Sequence, residues 1–317
     1  AIDFPSMESL QAQNVNSAAT VPDEALEQLH LFISAIASMD HERPYHNLGH
    51  ASHVTLSVVK LLSQLNSQEN VGPAKLLSLD PRAQLACLFA ALVKDLVHPG
   101  VPNFVLAQEG GMLVQIYGGR CISQQMAVDT VWRMLVGPGF PDLRKAIYRT
   151  EEEKQHFRQV FIQCLIATDL FEKDLGENRQ MRWETAFEGN PGQEESAKTR
   201  LDLQATLLLE HIIQVSDTSH FMQHWSVFRK WSSLLLEEVH QFHKSGRIAK
   251  DPRETWFQGE LSVFEDFVFP LSARLITCNA FKKGAMKEYT DFASSNHTQW
   301  LQQGESIVSE NKDDSGS

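Results

Sequence analysis

Apolar residues recur along the chain at intervals of three and four, and alternating runs bounded by Asn-Gly or Asp-Gly turns are missing. This pattern predicts an all-α fold, a compact bundle of roughly ten or more helices. Over 50–65, Val54, Val58, Leu61, Leu62 and Leu65 form one stripe. Asp80-Pro81 is a strong helix start, and the run that follows, 83–97, is apolar nearly all round, as a helix buried on every side requires. Pro99-Gly100-Val101-Pro102 stops it. Further helical runs are predicted over 22–37, 122–136, 152–173, 201–223, 227–244, 261–277 and 286–303, with a Gly- and Pro-bearing polar loop over 188–196. The division expected is a polar N-terminal extension at 1–21, one domain at 22–304 and a polar tail at 305–317.

Composition narrows the function classes. A 42% hydrophobic content over 317 residues supplies a sizeable core and argues against disorder. The formal charge of -12, with no long Lys/Arg cluster, argues against a nucleic-acid partner. Cys87, Cys121, Cys164 and Cys278 are scattered without metal-type spacing, which points to a reducing, cytoplasmic setting without disulfides. The longest apolar stretch, 85–93, is about half of a membrane span, so no membrane contact is expected within this segment. A first residue of Ala1 suggests excision from a longer chain, whose other parts would carry any membrane anchor or further domains.

Four segments carry candidate chemistry. His46 and His50 sit four apart, a spacing that could aim both at one cavity but is also common in surface pairs and satisfied core histidines. Lys94, Asp95 and His98 end the apolar helix, where buried polar groups need partners, either in a site or in a structural ion pair. Asp169 and Asp217 each close an apolar helical run. Any one of these could be a cap; together they suggest a site assembled from several helices.

The order Tyr45-His46-Asn47 with His50-Ala51, then Asp95 with His98-Pro99-Gly100 and Asn103, then Ala167-Thr168-Asp169, then Asp217, resembles the class I cyclic-nucleotide phosphodiesterases. The match extends from about residue 26 to about residue 275, and its wider wording resembles a branch often fused to a nucleotide cyclase. The resemblance implies an all-helical, HD-like bundle holding two divalent metals, zinc and magnesium in the family, and hydrolysing cyclic AMP or cyclic GMP. It implies His46 as general acid, His50, Asp95 and Asp217 as metal ligands, and His98, Asn103, Gln124 and Asp169 as supports of the second metal and its waters. Tyr45, Glu260 and Val263 fall in the substrate pocket. The partners implied are a cyclic nucleotide and an upstream cyclase or regulatory domain.

This chain departs from the family pattern at several positions. Lys94 stands where the family has a histidine ligand. Two unit charges about 4 Å apart at an effective dielectric near 20 interact by roughly 4 kcal/mol, so an ammonium facing a divalent ion opposes it by about twice that. A weakened or absent tight metal is therefore expected, with weakened turnover or a catalytically impaired module as the consequence; magnesium or manganese is the expected cofactor, and the zinc of the family is doubtful here. Lys94 either pairs with Asp95 and Asp217 as a fixed cation or snorkels to solvent and leaves the site a ligand short. Gln124 replaces a glutamate. Glu260 and Val263 occupy the base-selecting glutamine and clamping phenylalanine positions, with Gln258 and Phe264 close enough for a local shift to restore either.

Overall fold

The computed structural model describes residues 1–16, 20–39, 43–68, 71–189 and 196–313. The described residues form helices with no β-strand, apart from one isolated bridge between Leu65 and Phe281. Part of the predicted loop, 190–195, and the end of the predicted tail, 314–317, lie outside the described residues.

The centre is the helix Pro81–Val93. Asp80 caps it by accepting from the Ala83 amide at 2.9 Å, and Pro81 occupies a first-turn position where no amide is needed. The helix buries Ala83, Ala86, Cys87, Phe89, Ala90, Ala91 and Val93, which accounts for its lack of a polar face. Glu151–Ala167 and Leu48–Ser63 pack along it. The former opens with a reciprocal capping box between Thr150 and Glu153, and the latter is capped by Asn47. The long helix Ala197–Asp217, buried along most of its length, closes the core, and Gln214 ties it to the Ala167 carbonyl at 3.1 Å.

Several boundaries differ from the pattern. The central run ends as a helix at Val93, and residues 94–97 form turns. The run over 261–277 is divided into Trp256–Val263, a π-turn Phe264–Val268 and Phe269–Thr277, with Pro270 just beyond the π-turn. Residues 1–21 supply Ile2, Phe4 and Leu10 to the main core, anchored by an Ile2 amide bond to Thr206 at 2.8 Å. The last helix, Lys287–Asp313, continues past 304 and buries Ile307 and Val308. No single described helix is long and apolar enough to cross a membrane.

Candidate functional site

The site forms where the central helix, the start of Leu48–Ser63 and the end of Ala197–Asp217 meet. Asn47, with extended backbone, accepts from the His50 amide at 3.0 Å, which sets His46 before the helix and His50 in its first turn. Beyond the central helix the chain passes through the left-handed region at Val97 (φ 53°), a strained conformation for a β-branched residue. Gly100 (φ 83°) completes this turn, and any β-carbon there would collide with the Arg43 and Phe242 side chains. The turn brings His98 over His46, with ring centroids 4.0 Å apart and planes inclined by 16°.

On one side of the site, Glu238 of the helix Trp225–Lys244 receives the Tyr45 and His46 amides at 2.8 and 2.9 Å through Oε2, and its Oε1 lies 2.6 Å from His46 Nδ1. Burial alone would raise the Glu238 pKa, but the bonds from His46 and Tyr45 hold it below the ordinary value. Burial and the neighbouring His46 push His98 well below the usual imidazole range, and its Nδ1 accepts from the Gly100 amide at 3.0 Å. Ligand atoms of His46, His98 and Glu238 lie within 4.8 Å of one another.

On the other side, Lys94 Nζ lies 2.7 and 2.8 Å from the two oxygens of Asp95 and 2.8 Å from Asp217 Oδ1. Burial opposes charge on Lys94, but Asp217 and Asp95 outweigh it and raise its pKa. Asp95 is likewise penalised by burial and still held well below the carboxylate range, chiefly by Lys94. His50 Nδ1 reaches Asp95 Oδ2 at 2.9 Å, while its buried Nε2 has no hydrogen-bond partner and lies 4.0 Å from Asp217 Oδ1. Burial and then Lys94 lower the His50 pKa.

The structure thus joins His50, Lys94, Asp95 and Asp217 in one cluster and stacks His46 on His98 in another, with the Tyr45 ring lying against both His46 and His50. Asn103, Gln124 and Asp169 form another group, in which Asn103 Nδ2 bonds Gln124 Oε1 at 2.9 Å and Asp169 Oδ2 at 2.7 Å. Tyr45 is buried with its ring 4.2 Å from that of His50, and Trp231 stands 5.0 Å from His50 on the same wall. Glu260 is buried behind that wall, accepting from Ser232 at 2.5 Å, and burial pushes its pKa up to about 7. Val263 is half-buried against the main core. Sequence reasoning missed Glu238, whose only local signal is an acid on the buried stripe of an amphipathic helix.

Residues 45–252 match the family described as 3'5'-cyclic nucleotide phosphodiesterase. The chain belongs to this family. The Caenorhabditis elegans protein named "Probable 3',5'-cyclic phosphodiesterase pde-1" is 27% identical over 218 residues, covering 69% of this chain and 29% of that protein. The mouse dual-specificity calcium/calmodulin-dependent phosphodiesterase 1B is 25% identical, covering 62% of this chain and 32% of its own length. The chain therefore spans about three-tenths of these relatives. The phosphodiesterase domain of a rhodopsin fusion protein from Salpingoeca rosetta has the same fold, with a TM-score of 0.70 at 19% identity over 98% of this chain and 96% of that one.

Phosphodiesterases of this family are metal-dependent. The tight-metal position of this chain does not fit such an ion, because three carboxylate oxygens that would face it already surround the Lys94 ammonium.

Proposed function

We propose that the chain is a 3',5'-cyclic-nucleotide phosphodiesterase domain that converts cyclic AMP and/or cyclic GMP to the 5'-monophosphate with weakened turnover. The observation that carries this reading is the His46–Glu238 pair. Glu238 fixes the His46 ring through Nδ1 at 2.6 Å, leaving Nε2 to protonate the departing 3' oxygen, a task suited to an imidazole at neutral pH. His46 keeps 20% of its side-chain surface exposed, so substrate can reach it. Tyr45, Glu260 and Val263 belong to the base side of this reading. Magnesium or manganese is the proposed metal, and when bound it supplies charge neutralisation for the phosphodiester.

The Lys94 ion cluster favours a second reading, a phosphodiesterase-like module that binds nucleotide or a partner and regulates a fused or associated protein. In either reading we place the domain in the cytoplasm as part of a longer chain. A rhodopsin fusion is the arrangement named for the structural neighbour, whereas the sequence wording points to a cyclase.

The test is release of 5'-monophosphate from cyclic AMP and cyclic GMP with magnesium or manganese, beside His46→Ala. Slow, metal-dependent hydrolysis lost in His46→Ala supports the enzyme. Nucleotide binding without turnover supports the module.

A further inference from the structure

We propose that Lys94 is a tethered cation standing in the place of the tight divalent metal, so that it competes with the ion as well as failing to ligate it. The inference rests on the phosphodiesterase reading, which assigns that place to a metal. An ammonium has three N–H donors, and Nζ meets three oxygens, Asp95 Oδ1 at 2.7 Å, Asp95 Oδ2 at 2.8 Å and Asp217 Oδ1 at 2.8 Å. Its hydrogen-bonding capacity is therefore saturated by carboxylates from two different parts of the fold. The side chain does not snorkel, because only 4% of its surface is exposed and it is flanked by buried Val93 and Asp95.

Two causes of weak metal binding can now be separated. If position 94 had merely lost a ligand, His50, Asp95 and Asp217 would still offer three, enough for a metal whose remaining position is taken by water. His50 Nε2 fits that description, being buried, unpartnered and 4.0 Å from Asp217 Oδ1. What an entering ion meets is the ammonium, lodged among the same carboxylate oxygens and repelling any second cation. Removing the charge without restoring a ligand should therefore improve metal binding, whereas a purely ligand-deficient site would gain nothing.

The experiment is zinc titration of the EDTA-stripped chain against a chromophoric chelator, for the unmodified protein, Lys94→Met and Lys94→His. Lys94→Met should bind one zinc at least about 100-fold more tightly than the unmodified chain, since a nearby like charge is gone. Lys94→His should bind more tightly still. Adding Asp217→Asn to Lys94→Met should remove the gain, assigning the ion to this site and not to His46, His98 and Glu238. Equal affinity of the unmodified chain and Lys94→Met overturns the proposal, as does a gain that survives Asp217→Asn. A reading independent of every variant comes from the melting temperature of the unmodified chain. It should be unchanged by zinc or EDTA, and a marked rise with stoichiometric zinc overturns the proposal. Absence of cyclic-nucleotide hydrolysis would instead count against the enzyme reading and leave these metal results standing.

Discussion

The two sides of the site are built from the same residue types and end in different states. On the Glu238 side, a buried carboxylate takes three bonds from Tyr45 and His46 and presents an imidazole that remains 20% exposed. On the Asp95 side, two carboxylates turn inward onto Lys94, and the side chains of Lys94 and Asp95 are only 4% and 6% exposed. One carboxylate holds a partly exposed imidazole; the others are saturated by a cation from within. On the proposed reading, the proton-handling half of the site is kept while the charge-handling half is filled by the chain itself.

The largest effect is expected on the open side. His46→Ala should lower cyclic-nucleotide turnover by about 10²- to 10⁴-fold, the range for losing a general acid. An equally active His46→Ala protein would remove the functional half of the comparison. On the closed side, Lys94→Met measured in EDTA should cost about 3–5 kcal/mol of stability, because it leaves the buried Asp95 and the half-buried Asp217 without their cation. Urea unfolding midpoints check this, and an unchanged midpoint would mean that the ion cluster holds nothing together.

Glu260 sharpens the comparison by pH. Its folded pKa of about 7 lies above the ordinary 4.5, so the folded chain keeps a proton that the unfolded chain releases. Stability from this group is full below about pH 4.5 and is lost as pH rises to about 7, by about 3 kcal/mol in all. Glu260→Gln should therefore stabilise the protein at pH 8 and change little at pH 4.5, as read from unfolding midpoints at the two values. A smaller effect is expected for Glu238→Gln, about 10- to 100-fold in kcat through loss of His46 orientation, with KM little changed. An unchanged kcat would make Glu238 a purely structural acid.

Much of this arrangement was legible in the sequence for local reasons. The helix Ile122–Val136 has the predicted bounds, and Asp80-Pro81 marks the start of the central helix because cap and proline act within one turn. The motif residues His46, His50, Asp95 and Asp217 are recognisable by order, and the Lys94 pairing was one of two outcomes its chemistry allowed. What escaped depends on distant contacts. Glu238 lies 192 positions from His46, and its only local mark is its place on the buried stripe of its helix, which does not say what it meets. Ile2, Phe4 and Leu10 are single apolar residues in polar surroundings, whose burial is decided by the helices they meet. The π-turn at Phe264–Val268 leaves the apolar spacing almost unchanged, so periodicity reads through it.

On the proposed reading, Lys94, together with Gln124 in place of a charged acceptor, separates this chain from full hydrolytic capacity. The most direct measurement is zinc per chain together with the rate of cyclic AMP and cyclic GMP loss, for the unmodified protein and for Lys94→His combined with Gln124→Glu. Little zinc and slow turnover are expected in the former, and about one zinc per chain with a rate raised at least about 10-fold in the latter, each single change doing less. Full zinc occupancy with strong hydrolysis by the unmodified chain would contradict that reading.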